Sequence, residues 1–189
     1  KPIETGIPAG DITIGYVGAF EPRKGVIDLA TAWPRIAEAN PRAHLLVCGD
    51  GSLEPRMRWM LESAPRVRWL GHREDVPNVL SALDVLVLPS HVEGAPNVVL
   101  EAMASAVPVV ATAVSGTPEL IRDGVDGKLI PDRNTDALVE AVMRLASNPG
   151  LRSRVANAAR KRVLEKFTID VMIDAYEEVL VGLAEGRRA

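Results

Sequence analysis

The sequence predicts a doubly wound, Rossmann-like α/β fold: a parallel six-stranded sheet with helices on both faces and further helices at the C-terminal end. The chain of 189 residues is 47% hydrophobic and 25% charged, which is typical of one globular domain. Short runs rich in Val, Ile and Leu alternate along it with amphipathic helical patterns. The best runs are continuously apolar, as in parallel strands that are covered on both faces.

Six apolar runs predict the strands, at residues 12–17, 44–48, 67–70, 85–88, 109–111 and 128–130. Apolar residues at spacings of three and four predict helices between them, at residues 26–40, 53–64, 76–83, 96–105 and 135–147. Pro34 should kink or shorten the first helix. This alternation indicates βαβ units with right-handed crossovers, so we expect a ligand crevice at the carboxyl ends of the strands.

The two ends of the chain have a different pattern. Residues 151–165 and 169–184 are consecutive helical patterns with no strand between them, and they predict a helical tail from residue 151. Val171, Ala175, Val179 and Leu183 form an apolar stripe that needs a partner surface. Residues 1–10, rich in Pro and Gly, predict a linker from a missing upstream domain. The folded domain is therefore expected at residues 11–189.

Charge and cysteine content exclude several classes of protein. With 22 Lys and Arg against 25 Asp and Glu, the net charge of -3 predicts no general attraction to nucleic acid. The single cysteine, Cys48, lies in an apolar run and is interpreted as a core residue. No apolar run approaches the roughly 20 residues that span a bilayer, and the polar start is not a signal peptide. We expect a monomer in the cytoplasm.

The most informative segment is residues 89–103, which directly follows a predicted strand and leads into a helix. Pro96 suits a first helical position, so the helix should begin near Ala95. The helix amides and dipole then form an anion site, and Gly94 lets the backbone approach a phosphate. Glu93 and Glu101 must serve different atoms, such as those of a transferred sugar and a ribose diol. The alternative is that both are solvated surface acids.

These residues resemble a known family. Glu93 and Glu101, in the setting Glu-Gly-Ala-Pro-Asn-Val-Val-Leu-Glu-Ala-Met-Ala, resemble the EX7E signature of retaining GT-B glycosyltransferases of family 4. Four further segments occur in the family's order, at residues 18–25, 49–51, 84–90 and 108–119. The resemblance covers residues 12–180. It implies one half of a GT-B fold, the nucleotide-sugar-binding domain, without the acceptor domain.

The resemblance also implies roles for individual residues. Glu93 contacts the donor sugar as the catalytic residue, Glu101 binds the ribose, and Lys24 binds the diphosphate. The alternative for Lys24 is a solvated loop lysine. The other residues implied in donor binding lie on the crevice loops: Gly18, Gly71, His72, Arg73, Gly94, Ala95, Pro96, Asn97, Ser115, Gly116 and Thr117.

Two positions depart from the family pattern. Ala19 stands where the family usually has an arginine that binds phosphate, and Ala106 stands where it usually has glycine. Arg23 either compensates for the missing arginine or is solvated. His72 and His91 lie on crevice loops, but the three histidines lack metal-ligand spacing, so we expect no metal site and surface or structural roles for both.

The implied activity is transfer of a sugar from a UDP-, GDP- or ADP-sugar to an acceptor held by a missing N-terminal domain, with no cofactor beyond this substrate. We expect the isolated domain to be inactive. The basic run from Arg152 to Arg162 indicates a solvated helix face or, in the parent protein, peripheral contact with a membrane. Two alternatives stay open: a GT-B-like nucleotide-sugar epimerase or phosphorylase, and a non-catalytic nucleotide-sugar-binding module.

Overall fold

The computed structural model describes residues 3–184, which form a single six-stranded sheet with helices packed around it. The strands are β1 (Ile12–Val17), β2 (Ala43–Cys48), β3 (Val67–Gly71), β4 (Val85–Leu88), β5 (Val109–Thr112) and β6 (Lys128–Ile130). The helices are α1 (Val26–Ala39), α2 (Glu54–Met60), α3 (Val76–Leu80), α4 (Asn97–Ala104), α5 (Thr117–Leu120), α6 (Thr135–Ala146), α7 (Pro149–Lys166) and α8 (Ile169–Ala184).

The sheet is parallel throughout and has the order β3-β2-β1-β4-β5-β6. The chain moves outward from β1 to β3, returns to β4 beside β1, and then moves outward in the other direction. Ile14 pairs with Val85 and Gly15 with Leu86 where the two halves meet. The helices that follow β1 and β4 therefore cover opposite faces of the sheet, which confirms the predicted doubly wound fold and marks this carboxyl edge as the place where such folds bind ligands.

The core lies on both faces of the sheet. Every residue of β2, β4 and β5 is buried, which is why their sequences are apolar apart from His44 and Thr112. Helix α1 packs against α2 and α6, and α4 packs against α3 and α7. Right-handed crossovers in opposite directions place α1 and α2 on one face and α3 and α4 on the other. Helices α6 and α7, which follow the last strand, pack against α1 and α4 respectively.

Several helix bounds differ from those predicted. Pro34 does not shorten α1, which continues to Ala39 because buried Trp33 and Ile36 hold both sides of the proline in the core. Helix α2 ends at Met60 rather than residue 64, and the chain continues to Ala64 in tighter turns, with the N–H groups of Glu62 and Ala64 bonded to the carbonyls three residues before them. Helix α3 ends at Leu80 rather than residue 83. The structure also has a 3-10 turn at Pro22–Lys24 and the short helix α5, neither of which was predicted.

The C-terminal part consists of two helices, as predicted. Helix α7 buries Val155, Ala159 and Val163, whereas α8 exposes an apolar set: Ile169, Val171, Met172, Ile173, Tyr176, Val179, Leu180 and Val181. The side chain of Leu183, predicted as part of the stripe, lies outside the described residues, as do the first two residues of the predicted linker. Within residues 3–184, no helix combines the length and apolarity needed to cross a membrane.

Candidate functional site

The loops that follow β1 and β4 touch each other at the carboxyl edge of the sheet. Gly25 ends the 3-10 turn with φ 64°, in the left-handed region, and a Cβ there would overlap the carbonyl oxygen of Pro89. The Arg23 carbonyl accepts hydrogen bonds from the backbone N–H groups of His91 at 2.8 Å and Val92 at 3.4 Å. These contacts fix the two loops against one another at the point where the strand order reverses.

This packing brings Lys24 and Glu93 together. Lys24 Nζ donates to Glu93 Oε1 at 2.6 Å, and the Ser90 hydroxyl donates to the same oxygen at 2.7 Å. Glu93 is only 6% exposed and the Lys24 side chain 15% exposed. A buried carboxylate needs such partners, so Glu93 is not a solvated surface acid and Lys24 is not a free loop lysine.

Side chains of the neighbouring strands support this pair. Ser90 is buried, and its carbonyl accepts a hydrogen bond from the Thr112 hydroxyl at the end of β5. The Tyr16 hydroxyl donates to the Ala19 carbonyl at 2.8 Å, and this hydrogen bond ties the loop after β1 to the strand itself. Burial raises the pKa of Tyr16, and the nearby Glu93 carboxylate raises it further, so the phenol keeps its proton at neutral pH.

The start of α4 differs by one to two residues from the prediction. The helix begins at Asn97, and Pro96 is its N-cap with φ -70° and ψ 105°, rather than its first helical residue. The extended ψ of Pro96 keeps this residue outside the helix, while its carbonyl accepts from the Val99 N–H at 3.0 Å. The Pro96 side chain cannot cap the helix, so the first N–H groups of α4 are available to an anion.

Glu101 lies on the exposed side of α4, and no hydrogen bond or ion pair holds its carboxylate within residues 3–184. It lies eight positions after Glu93, and the structure leaves it accessible while Glu93 is buried. Of the two glutamates, only Glu101 has the exposed position of a solvated surface acid.

The loop after β5 packs against the same region. A Cβ on Gly116 would overlap the carbonyl oxygen of Gly94, so the two backbones lie in direct contact. Ser115 adopts a left-handed φ of 47°, and Thr117 opens α5. The Thr117 hydroxyl is buried with no hydrogen-bond partner in the described part of the chain. The structure thus brings the predicted residues 94–97 and 115–117 together.

A second part of the crevice lies between the loops after β1, β2 and β3. Its lining includes the predicted residues Gly18, His72 and Arg73, together with Ala19, Cys48, Gly49 and Asp50. Predicted Gly71 ends β3 beside it, and its carbonyl accepts from the Gly49 N–H at 2.8 Å. Burial raises the pKa of the Cys48 thiol, consistent with the predicted core position.

Arg73 forms a two-bond ion pair with Asp75 in this part of the crevice. Its Nε and one terminal nitrogen each donate to the Asp75 carboxylate at 2.8 Å. These bonds, with one from Asn78, lower the pKa of Asp75 to about 2. The sequence analysis did not identify Asp75, Ser90 or Tyr16 as residues that support the site. Only Asp75 had a signal in the sequence, because it lies two residues after Arg73 and has the opposite charge.

The described residues offer no metal centre. Across residues 3–184, no group of three His, Cys, Asp or Glu side chains is placed to hold a metal ion. Positive groups at this edge of the sheet include the Lys24 ammonium, the Arg73 guanidinium and the amides at the start of α4.

Comparisons with known proteins agree with this architecture. A family model described as "Glycosyl transferases group 1" matches residues 11–148, more than half of the chain. Glycogen synthase of Mycobacterium tuberculosis is 30% identical over 187 residues, which are 95% of this chain and 44% of that protein. The chain spans about half the length of the curated relatives it matches.

Two solved structures share the fold. The C-terminal domain of a glycosyl transferase group 1 family protein from Francisella tularensis has a TM-score of 0.78 and 25% identity, covering 84% of this chain and 87% of that one. Anabaena HepE, solved in complex with UDP and glucose, has a TM-score of 0.84 and 24% identity, covering 94% of this chain and 50% of that one.

Proposed function

The chain belongs to the glycosyl transferases group 1 family, and we propose that it is the donor-binding domain of a retaining glycosyltransferase of family 4. In this proposal, a nucleoside diphosphate sugar binds in the crevice, and its sugar passes to an acceptor held by an N-terminal domain. The observation that carries the proposal is the pairing of Lys24 with Glu93 where the loops after β1 and β4 meet.

The diphosphate would lie between Lys24 and the start of α4. An ammonium group is a compact charge that suits a phosphate oxygen, and the uncapped amides of Asn97 and Val98 add donors beside it. Because Lys24 already lies in the crevice, it can share its three N–H donors between Glu93 and the ligand. Gly94 has no side chain and open space at its Cβ position, so its backbone allows close approach by the same phosphate.

Glu93 would face the transferred sugar. Both hydrogen bonds that it accepts in the described chain, from Lys24 and Ser90, end on Oε1. Oε2 is therefore left to accept a sugar hydroxyl, with the carboxylate already held in place. Glu101, exposed on α4, would accept the hydroxyls of the ribose. The base would lie in the part of the crevice lined by His72 and Arg73.

The proposed chemistry proceeds on one face of the sugar. The bond between the sugar C1 and the diphosphate oxygen breaks, the acceptor hydroxyl oxygen bonds to C1 on the same face, and its proton passes to the departing phosphate oxygen. Lys24 and the α4 amides stabilise the negative charge on the leaving diphosphate. Lys24 and these amides supply the positive charge that a metal ion supplies in metal-dependent transferases. The proposal therefore includes no metal ion and no cofactor.

The proposal also includes a second, N-terminal domain that binds the acceptor. The matched relatives are about twice as long as this chain, and the similar structure from Francisella tularensis is described as a C-terminal domain. The exposed apolar side chains of α8 would then contact that second domain in a cytoplasmic parent protein. UDP-, GDP- and ADP-sugars are the candidate donors.

A transfer assay tests this function. The chain alone should bind a nucleoside diphosphate without transferring sugar, and the parent with its N-terminal domain should transfer sugar with retention at C1. Release of sugar 1-phosphate on adding inorganic phosphate would instead indicate a phosphorylase, and a change of sugar configuration without acceptor an epimerase. A parent that binds donor and transfers nothing to any acceptor would be a binding module.

A further inference from the structure

His91 lies between two carboxylates that come from different parts of the fold. Its Nδ1 is 2.6 Å from Oδ1 of Asp132, in the loop after β6, and its Nε2 is 3.7 Å from Oδ2 of Asp28 on α1. The imidazole is only 16% exposed. With its backbone N–H on the Arg23 carbonyl, this one residue ties the β4–α4 loop to three other segments.

The contact with Asp132 has a defined direction. A carboxylate only accepts hydrogen bonds, so Nδ1 carries the hydrogen that joins the pair. This bond from His91 lowers the pKa of Asp132, which is therefore ionised at neutral pH, and Arg133 lies 3.5 Å from its other oxygen. The distance to Asp28 is too long for a hydrogen bond, so α1 is a close neighbour of the imidazole and Asp132 is its hydrogen-bond partner.

The segment beyond His91 has few other attachments. Ser90 is anchored before it by Thr112, and α4 begins only at Asn97. Val92 is 58% exposed, and Gly94 and Ala95 are exposed as well. Glu93, two residues after His91, is held by its own bonds at Oε1, by the His91 contacts before it and by the packing of Gly94 against Gly116 after it. Of these, the His91 side chain makes the polar contacts that tie the segment to α1 and to the loop after β6.

We propose that His91 is a positioning residue, which holds residues 90–93 against α1 and the loop after β6 so that Glu93 and Lys24 keep the geometry a sugar donor needs. The expected effect of His91 on ligand binding rests on the proposed function. Its expected effect on the position of the loop does not. A displacement of about 1 Å at a reacting group can lower a rate roughly a hundredfold, so such support matters.

Hydrogen exchange of the ligand-free chain tests the loop directly. The backbone amides of residues 91 and 92 both donate to the Arg23 carbonyl, so their exchange reports whether the loop is docked. His91→Ala should speed their exchange roughly tenfold, while the buried strand β4 stays protected. His91→Asn keeps an N–H donor near the position of Nδ1 and should restore most of the protection.

His44 provides a matched control. Its Nε2 lies 2.9 Å from Oδ2 of Asp11, so His44→Ala also removes a largely buried His–Asp contact. His44 is at the amino end of β2, at the opposite edge of the sheet from the crevice. His44→Ala should lower the free energy of unfolding without changing exchange at residues 91 and 92.

Calorimetry then tests the effect on the donor, using UDP with UDP-glucose, or the matching GDP or ADP pair if one of those binds instead. His91→Ala should weaken binding of the sugar nucleotide roughly tenfold and that of the free diphosphate much less, with recovery in His91→Asn. His44→Ala should leave both affinities unchanged.

The two hypotheses fail in different ways. Wild-type protein that binds none of these nucleotides would refute the proposed function, and the exchange result would still decide the role of His91. Unchanged exchange at residues 91 and 92 in His91→Ala would overturn the positioning role. So would a loss of affinity that is equal for the diphosphate and the sugar nucleotide.

Discussion

Lys24 and Glu93 are 69 residues apart in the chain, yet Lys24 Nζ lies 2.6 Å from Glu93 Oε1 in the folded domain. The pair forms where β1 and β4 lie side by side, because their loops leave the sheet at the same edge. Both charges are largely removed from water, so each requires the other until a ligand arrives. A bound diphosphate would draw on the same Lys24 ammonium, whose three N–H donors can serve both Glu93 and the ligand.

Gly25 should be essential for packing the two loops. Gly25→Ala places a Cβ against the Pro89 carbonyl at a left-handed φ, and we expect it to lower the free energy of unfolding by about 3 kcal/mol or more. Gly124 has a similar φ of 73° but open space around it, so Gly124→Ala should cost only about 1–2 kcal/mol. Urea denaturation measures both; equal losses would show that the close approach to Pro89 is unimportant.

The six strands were predicted to within about one residue at each end, because continuous apolar runs directly reflect burial on both faces. Helix ends were less accurate, since residues 61–64 form tighter turns after α2 and burial of Trp33 and Ile36 carried α1 past Pro34. The four-residue helix α5 is too short to show a helical period.

Individual site residues could be named from the sequence, but their contacts could not. The pairing of Lys24 with Glu93, and of His91 with Asp132, depends on loops that meet only after the sheet forms. No periodicity or spacing joins residues that are 69 or 41 positions apart. The burial of Glu93 was equally hidden, because a loop glutamate is usually exposed.

Asp75 should titrate far below an ordinary aspartate. Its pKa of about 2 lies below the usual 3.8, so it stabilises the fold above pH 4, and this contribution is lost as the pH falls from about 4 to 2. Arg73→Gln should raise this pKa toward 3.8, although the bond from Asn78 remains. Carboxyl NMR titration follows it directly. Arg35→Gln, whose partner is the distant Asp136, is the control and should not shift it.

The two glutamates should have different effects on nucleotide binding. Glu101→Ala should weaken binding of the nucleoside diphosphate by about 1.5–3 kcal/mol, the size of a lost charge-assisted hydrogen bond. Glu93→Gln removes the negative partner of Lys24, so diphosphate binding should stay the same or tighten while sugar transfer by the parent falls. Calorimetry separates them, with Glu140→Ala on α6 as an exposed control. Equal losses in both variants would refute the assigned roles.

Ala19→Arg should tighten diphosphate binding. The Ala19 backbone is already held by the Tyr16 hydroxyl, so the loop should keep its path when the side chain grows. Charge-assisted bonds offset by side-chain ordering predict roughly three- to thirtyfold tighter binding of the diphosphate and no change for the bare nucleoside. Ala19→Met adds size without charge and is the control. Unchanged diphosphate affinity would mean either that position 19 does not face the diphosphate or that Arg23 already binds it there.

Titration calorimetry of the chain with UDP, GDP and ADP tests the central claim most directly, with Lys24→Ala beside the wild type. We predict that at least one diphosphate binds, that Lys24→Ala weakens this binding roughly tenfold or more, and that the bare nucleoside is unaffected. Lys128→Ala, at the amino end of β6 and paired with Asp123, should bind as the wild type does. No heat with any of the three nucleotides, or binding that is insensitive to the loss of Lys24, would contradict a donor site between the loops after β1 and β4.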